Sequence, residues 1–348
     1  MRVAMVASLV GPLREAQLGG AQAFQTDLAR ALMARGHEVI VFCATGSSLD
    51  GLRLETVPAP AGVERALVMP AGRPPPPLPG LRPAFAELFA RVCARGCDVI
   101  SLHAFDAEAL EEAAERGLPV LHTLHLPPLV PALVEAALAV AGRPRVRFVA
   151  VSEAMRRAWS AAGLSEVETI RNGVPVFEPP ELPVLPRAVI AGRVSPEKGT
   201  AIAMRVAHRA GLEPLVVGGV YDREYWRDEV RVPVRSVPRP ELWRLMAGSA
   251  VTLMPVEWEE PFGLVAAESQ MAGCPVAGYR RGGLPEAVVE GIGGFLVEPG
   301  DEEALVAAVE RARGLDRASV RRAARERLGI GPVAAAYERA LSVLGGGR

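Results

Sequence analysis

Residues 187–200 read RAVIAGRVSPEKGT, a short apolar run followed by a polar loop. The run RAVIAGR at 187–193 is brief and rich in small and β-branched residues, which predicts a buried strand. The loop holds Lys198, the only lysine of the 348 residues, after Arg193 and before a Gly-Thr pair. Ligands of parallel sheets bind beyond the carboxyl ends of the strands. The stretch therefore predicts a strand whose loop faces phosphate, with a chance position of the lysine as the alternative.

The same alternation of apolar runs and amphipathic helical patterns extends along the chain in both directions. Helical patterns such as 21–35 and 107–116 separate the predicted strands. The predicted buried strands lie at 2–8, 38–44, 97–103, 118–125 and 147–152 in the first half, and at 187–193, 213–219, 249–256, 274–279 and 293–299 in the second. Strand–helix–strand units with right-handed crossovers form doubly wound parallel sheets. The sequence therefore predicts an α/β fold class with two Rossmann-like, doubly wound domains that face a cleft.

A proline-rich stretch separates the two halves. Residues 174–187, VPVFEPPELPVLPR, contain five prolines, each of which lacks a backbone donor for a sheet. The last segment of the chain has a helical pattern and is predicted to cross back to the first domain. The predicted divisions are a first domain at 1–176, a linker at 177–186, a second domain at 187–330 and a C-terminal helix at 331–348.

The composition excludes several classes of protein. Basic and acidic residues nearly cancel, at 39 and 40, so a nucleic-acid binder is not indicated. The four cysteines show no neighbouring ligand pattern, which favours reduced thiols over a zinc site. The longest apolar run, 126–142, is shorter than the roughly 20 residues that a membrane-spanning helix needs. Because the N-terminus also lacks a signal-peptide pattern, we expect a cytoplasmic protein, at most peripheral on the inner face of the membrane.

Histidines follow two neighbouring predicted strands of the first half. His103 ends the strand at 97–103, and His125 ends the strand at 118–125. Since ligands bind at the carboxyl ends of parallel strands, both are candidate site residues. Buried structural histidines are the alternative.

Two glutamates mark a second candidate site in the stretch EWEEPFGLVAAESQMAGCPV at 257–276. Glu260 and Glu268 are eight residues apart in this stretch. A helix that begins near Pro261 or Phe262 would point free N–H groups at an anion or at sugar hydroxyls. Glu260 would lie at its entrance and Glu268 two turns further on, so that the two carboxylates bind different hydroxyls of one ligand. A solvent-facing acidic helix start is the alternative.

Taken in order along the chain, these motifs resemble those of the family 4 glycosyltransferases, retaining enzymes of the GT-B fold. The stretch from Glu260 to Val276 resembles the family's Glu-Pro-Phe-Gly-Leu, second Glu and Ala-x-Gly-x-Pro-Val pattern. GGLPEAVVEGIGGFLVEPGD at 282–301 resembles its usual continuation, and GRVSPEKGT at 192–200 its Gly-Arg-x-x-x-x-Lys-Gly loop. LGGAQAFQTDLARALMARGHEVIVF at 18–42 resembles its glycine-rich opening loop and first helix.

The resemblance implies a donor site for a nucleotide-diphosphate sugar. Arg193 and Lys198 would grip the diphosphate, Glu268 the ribose hydroxyls and Glu260 the hydroxyls of the transferred sugar. Glycines of the opening loop would let the backbone approach the diphosphate. The remaining donor-binding residues implied are the backbone N–H groups of Phe262, Gly263 and Leu264, together with Gly19 and Gly20.

The resemblance also implies how the reaction proceeds. His103 resembles the histidine that the family places beside the sugar, and His125 resembles one at the end of the next strand, on the acceptor or sugar side. The implied catalytic residues are His103, Arg193, Lys198 and Glu260, without a protein nucleophile. No Asp-x-Asp follows an apolar strand, so neither a metal nor another cofactor is expected. No Gly-x-Gly-x-x-Gly follows the first strand of either half, which argues against a dehydrogenase.

Substrates are less defined than the reaction. We expect a hexosyltransferase that uses a UDP-sugar, or next a GDP-sugar, although Arg235 or Ser236 stands where the family has glycine near the nucleobase. We expect the acceptor to be a hydroxyl of a sugar, a metabolite or a lipid-linked compound. The choice among these stays open, because the first-domain loops that would bind the acceptor are the least family-like parts of the chain. These loops lie at 45–83, with a proline-rich surface loop at 72–83, and at 126–146. The oligomeric state stays open. A non-catalytic nucleotide-sugar-binding partner or sensor, and a phosphorylase or epimerase, are the alternatives.

Overall fold

The computed structural model describes residues 1–15, 19–63 and 80–346. The chain divides into two compact units, the first of Met1–Asn172 with Ile330–Arg348 and the second of Gly173–Gly329. Most of the predicted surface loop at 72–83 lies outside the described residues.

The first unit contains a sheet of seven parallel strands in the order β3-β2-β1-β4-β5-β6-β7. Its strands are β1 Arg2–Val6, β2 Glu38–Ala44, β3 Arg53–Val57, β4 Val99–Leu102, β5 Val120–Leu124, β6 Val146–Ala150 and β7 Val167–Thr169. Its helices are α1 Gly20–Ala34, α2 Leu81–Ala94, α3 Ala107–Glu115, α4 Pro131–Val140, α5 Glu153–Ala161 and the C-terminal α13 Ile330–Gly345. The five predicted strands are present. Strands β3 and β7 were not predicted from the sequence, because these edge strands are short and partly polar.

Helix α13 packs against α1, β4 and β5 of the first unit. Its Tyr337 is fully buried, and the hydroxyl lies 3.1 Å from Oγ1 of Thr123. Glu338 accepts hydrogen bonds from Arg35 and lies 2.9 Å from Nε2 of His37. The C-terminal segment therefore contributes to the core and to the surface of the first unit.

The second unit contains a sheet of five parallel strands in the order β12-β11-β10-β8-β9. Its strands are β8 Leu185–Ala191, β9 Glu213–Val217, β10 Ser249–Met254, β11 Val276–Tyr279 and β12 Gly294–Val297. Its helices are α6 Thr200–Arg209, α7 Arg223–Tyr225, α8 Arg239–Ala247, α9 Leu264–Met271, α10 Leu284–Ala287, α11 Glu302–Arg313 and α12 Arg317–Leu328. The two doubly wound parallel sheets confirm the predicted α/β class with two Rossmann-like units.

The proline-rich stretch that we predicted as a linker at 177–186 belongs to the second unit. The ring of Phe177 stacks on that of Trp243, with centroids 4.1 Å apart and planes at 6°. Glu178 forms an ion pair with Arg325 of α12, and β8 already begins at Leu185. The apolar and charged side chains between the prolines therefore attach this stretch to the second unit, which the proline content alone did not indicate.

Strand order reverses once in each sheet, between β1 and β4 in the first unit and between β8 and β10 in the second. Loops that leave such neighbouring strands run in opposite directions and open a crevice at the carboxyl ends. The loops after β1 and β4, and those after β8 and β10, are therefore the places where each unit is built to bind a ligand.

Candidate functional site

The loop after β8 carries Lys198 and is held against the loop after β10. A 3-10 turn, Pro196–Lys198, ends at Gly199, whose φ of +65° lies in the left-handed region that favours glycine. A Cβ atom on Gly199 would stand 1.9 Å from the carbonyl oxygen of Pro255, so a side chain would separate the loops. The N–H of Glu257 also donates to the carbonyl of Glu197 at 2.9 Å. The two loops that leave the switch point therefore form one rigid support.

Lys198 is fixed between a carboxylate and an indole ring. Its Nζ lies 2.7 Å from Oε2 of Glu260, and the same oxygen accepts the Nε1–H of Trp258 at 2.8 Å. Nζ also lies 4.7 Å from the centroid of the Trp258 ring, within the range of a cation–π interaction. The side chain of Lys198 is 20% exposed and that of Glu260 is 10% exposed, so both charged groups remain partly accessible to solvent and to a ligand. Trp258 was missed by the sequence analysis, although it stands two residues before Glu260.

Arg193 lies beside this lysine and faces two aromatic rings. Its Cζ is 5.7 Å from the ring centroids of both Tyr221 and Trp258. Its Nη2 lies 3.3 Å from Oε1 of Glu197, and its side chain is 31% exposed. A partly exposed guanidinium can exchange such a carboxylate for phosphate oxygens at small cost. We call Arg193, Lys198, Tyr221 and Trp258 the cationic cluster.

The backbone of Glu260 is held by the next glycine-rich loop. The N–H of Gly283 donates to the carbonyl of Glu260 at 2.7 Å. A Cβ atom on Gly282, whose φ is +55°, would lie 2.3 Å from that same carbonyl oxygen. The GGLPE motif therefore supports the glutamate through close backbone approach.

Helix α9 begins later than predicted. It starts at Leu264 and not near Pro261 or Phe262, because Gly263 has a φ of +97° that interrupts the helical dihedrals. The side chain of Phe262 is 1% exposed and packs in the core. The N–H groups of the first helical turn therefore belong to Leu264 and the two residues after it, and the N–H of Phe262 lies before the helix.

Glu268 lies on the second turn of α9 and forms an ion pair that the sequence analysis missed. Nε and Nη2 of Arg239 donate to its Oε1 at 2.9 and 2.6 Å. The side chains of Arg239 and Glu268 are only 16% and 7% exposed. Arg239 begins α8, and its Cζ lies 5.2 Å from the ring centroid of Trp243. No spacing rule pairs residues that are 29 positions apart, so only the fold brings them together.

Arg235, the departure near the expected nucleobase contact, takes part in the support of β9. Its carbonyl accepts the N–H of Gly218 at 3.0 Å, and its guanidinium lies 3.3 Å from Glu241. The residue therefore contributes backbone structure where the family pattern has glycine.

In the first unit the two candidate histidines form a hydrogen-bonded chain. Nε2 of His103 lies 2.8 Å from the hydroxyl of Ser101, and Nδ1 lies 2.9 Å from Nε2 of His125. Burial lowers the pKa of His103 and lowers that of His125 to about 3, while His122 nearby is lowered to about 4. The chain is therefore uncharged at neutral pH. A sugar hydroxyl that bonded to His103 would have to replace one of its present partners.

Asp106 follows His103 by three residues, directly before α3, and was not predicted from the sequence. Its side chain is 7% exposed, and Oδ2 has no hydrogen-bond partner among the described residues. Burial raises the pKa of this carboxyl to about 7, although hydrogen bonds from Ser8 and Leu9 act in the opposite direction. The pKa of Asp106 is therefore raised into the neutral range.

The two predicted glycines of the opening loop lie at the start of α1. Gly19 is the N-cap residue, and its N–H donates to Oε1 of Gln22 at 2.8 Å. Gly20 is the first helical residue. The three residues that precede Gly19 lie outside the described part of the chain.

The described residues contain neither a candidate metal site nor a helix that could span a membrane. No group of three or more histidine, cysteine, aspartate or glutamate side chains in the described ranges is placed to hold a metal ion. Among the helices that the structure describes, none has the length and the apolar character needed to cross a membrane.

Comparison with known proteins agrees with this arrangement. The family model for Glycosyltransferase Family 4 matches residues 18–176, and the model for Glycosyl transferases group 1 matches residues 186–327. The chain therefore belongs to the family 4 glycosyltransferases.

Relatives and solved structures extend this assignment. Glycogen synthase of Mycobacterium tuberculosis is 32% identical over 48% of this chain and 45% of its own length, so the match spans about half of that relative. D-inositol 3-phosphate glycosyltransferase of Acidothermus cellulolyticus is 29% identical over 89% of this chain and 82% of its own. Sucrose-phosphate synthase from Thermosynechococcus elongatus has a TM-score of 0.76 at 20% identity, covering 98% of each chain. Anabaena HepE in complex with UDP and glucose has a TM-score of 0.73 at 20% identity, covering 98% of this chain and 99% of that one. The structural likenesses show the GT-B fold.

Proposed function

We propose that this protein is a retaining, metal-independent hexosyltransferase that moves a sugar from a nucleotide-diphosphate donor to an acceptor hydroxyl. The observation that carries the proposal is that Arg193, Lys198 and Glu260 meet around Trp258 at the carboxyl ends of β8 and β10. Two cations and a carboxylate at one switch point, with Glu268 on the helix that follows, match the charges and the hydroxyls of such a donor. A UDP-sugar is the favoured donor and a GDP-sugar the next, since HepE was solved with UDP and glucose.

The cationic cluster would act on the leaving group. When the bond between the anomeric carbon and the diphosphate oxygen breaks, negative charge develops on that oxygen. Arg193 and Lys198 would stabilise this charge, and one preorganised donor of this kind contributes about 2.7–4 kcal/mol in the transition state. Both cations are now neutralised by Glu197 and Glu260, so phosphate binding would exchange one set of anions for another.

Retention would follow from attack on the same face of the sugar. The acceptor hydroxyl forms the new bond to the anomeric carbon while its proton passes to the departing phosphate oxygen. Glu260 would accept hydrogen bonds from the transferred sugar and would not act as a nucleophile. The uncharged His103 and His125 would serve as neutral hydrogen-bonding groups, because burial disfavours the doubly protonated, charged form of both rings at neutral pH.

A calorimetric titration with UDP, GDP and ADP, followed by transfer assays with their sugar conjugates, tests the proposal. The acceptors to try first are D-inositol 3-phosphate and glucans, the compounds suggested by the names of the relatives. Lys198→Ala should weaken both binding and transfer, while Arg209→Ala, an exposed change on the neighbouring α6, should leave both unchanged. Nuclear magnetic resonance of the product reports anomeric configuration, and a chelator tests the independence from metal.

Other outcomes would favour the alternatives. Binding without transfer to any acceptor would support a nucleotide-sugar-binding partner or sensor. Release of free sugar phosphate, or of an epimer, would support a phosphorylase or an epimerase. A wild-type protein that binds no nucleotide would exclude the proposal.

A further inference from the structure

We propose that Arg239 is the positioning residue for the nucleoside end of the donor, and that it makes the site selective for ribose over 2′-deoxyribose. This inference rests on the proposed function and concerns a residue outside the motifs that define the family resemblance. Arg239 would act through Glu268, which it contacts directly.

The first step is the burial of Glu268. A carboxylate that is 5% exposed is stable as an anion only with a charged or hydrogen-bonding partner. Arg239 supplies that partner with two N–H groups that converge on the single oxygen Oε1, at 2.9 and 2.6 Å. Two donors on Oε1 hold that oxygen in place and restrict the rotation of the carboxylate.

The second step is the rigidity of Arg239 itself. It is the first residue of α8 and stands between Pro238 and Pro240, whose rings fix the backbone on both sides. Its guanidinium lies over the ring of Trp243, and Trp243 stacks on Phe177 with centroids 4.1 Å apart. The stack Arg239–Trp243–Phe177 therefore holds the guanidinium plane, and a lysine in this position would keep the charge but not the plane or the Nε donor.

The third step is what such a carboxylate recognises. Two neighbouring hydroxyls of a ribose donate to one carboxylate only if its oxygens are correctly oriented, and a hydroxyl that is missing leaves a buried acceptor without its donor. The positive charge of Arg239 balances Glu268, so a neutral diol suits the pair better than an additional anion. Selectivity for the 2′-hydroxyl should therefore depend on Arg239 even though Glu268 makes the contact.

The test compares each nucleoside diphosphate with its 2′-deoxy form by calorimetry, using whichever of UDP, GDP or ADP the wild type binds most tightly. We expect the wild type to bind the ribonucleotide at least about tenfold more tightly, which corresponds to about 1.4 kcal/mol. Arg239→Lys should reduce this ratio to about two- or threefold, and Glu268→Gln should reduce it to about one. The double variant should give the same ratio as Glu268→Gln alone, since the two residues act as a unit.

Arg244→Lys is the matched control, because Arg244 is an exposed residue on the same helix. It should keep the wild-type ratio. Melting temperatures identify variants that lose their fold, and Arg239→Lys retains the charge so that the protein stays folded.

The outcomes separate the two proposals. If the wild type binds no nucleotide, the proposed function fails. If it binds both forms equally, or if Arg239→Lys weakens both by the same factor and keeps their ratio, the function stands and the role of Arg239 is overturned. A purely structural role would produce that second result.

Discussion

The two units both place polar residues at the carboxyl ends of their strands, yet with opposite electrostatics. His103 and Asp106 follow β4 of the first unit, and His125 follows β5. All three are at most 7% exposed, and burial drives each of them towards its uncharged form. After β8 and β10 of the second unit, Lys198 and Glu260 keep opposite charges in direct contact. Burial therefore favours the uncharged form of a group that has no counter-ion nearby. A partner of opposite charge within hydrogen-bond distance preserves the charged form.

Under the proposed function, this contrast gives the two sites different ligand groups to bind. The second unit has the charges that a diphosphate requires. The first unit has hydrogen-bonding groups that stay neutral, which suit hydroxyl groups.

Lys198→Ala tests whether the cation of the second unit acts on the reaction. We expect kcat/KM for transfer to fall by about 10²–10³-fold, because one preorganised donor to the leaving group is lost. Steady-state kinetics with the preferred donor provide the measurement. Lys198→Arg should recover only part of the loss, since a planar guanidinium does not fit between Glu260 and the Trp258 ring as a point charge does. Equal activity of the Arg variant and the wild type would show that any cation is sufficient.

His103→Ala tests the neutral chain of the first unit. The change leaves a cavity and removes the partner of Ser101 and of His125, so the free energy of unfolding should fall by about 2–4 kcal/mol. Urea denaturation measures this loss. His103→Asn, which keeps polar atoms in the cavity, should lose less. Equal stability of His103→Ala and the wild type would mean that the chain is not a structural unit.

Asp106→Asn tests the pH dependence that the first unit predicts. The pKa of Asp106 is raised to about 7, so its stabilising contribution is complete below the ordinary value near 3.8 and is lost as the pH rises through 7. The variant removes this loss and should be more stable than the wild type at pH 8 by about 1–2 kcal/mol, within the usual range of single substitutions. Urea denaturation at several pH values between 5 and 8 gives the comparison.

The buried histidines provide an internal check on that experiment. The lowered pKa values of about 4 for His122 and about 3 for His125 make their contribution complete above the ordinary value near 6.5 and lost as the pH falls. The two pH windows overlap and their effects have opposite signs, so Asp106→Asn should make the loss of stability steeper than in the wild type as the pH falls from 7 towards 4. An unchanged slope over this range would contradict the raised pKa of Asp106.

Glu178→Gln should have the smallest effect. Glu178 forms an ion pair with Arg325, but its side chain is 74% exposed, so water screens the interaction. We expect no detectable change in the urea midpoint. A clearly lower urea midpoint would show that an exposed ion pair of the second unit stabilises the fold as much as a partly buried one. It would contradict the difference that we draw between this pair and the pair of Lys198 and Glu260.

Sequence patterns predicted the buried strands of the fold better than the edge strands and the helix boundaries. Buried strands such as β2 were predicted to the residue, because a continuous apolar run allows few alternatives. The edge strands β3 and β7 were missed because half of their surface is not buried and their residues are correspondingly polar. The start of α9 was misplaced because Gly263 adopts a left-handed conformation that no neighbouring residue signals.

The sequence by itself determined which residue types stand at the strand ends, because alternation of apolar runs and loops is a local property of the chain. Lys198 and Glu260 were therefore found before the structure. Their pairing and their contact with Trp258 were not found, since these depend on the packing of two loops. The ion pair of Arg239 with Glu268 was not found either, since the two residues are 29 positions apart. Tertiary structure alone decided which charges survive burial, because the free energy of a charge depends on the atoms within a few ångströms of it and not on its neighbours along the chain.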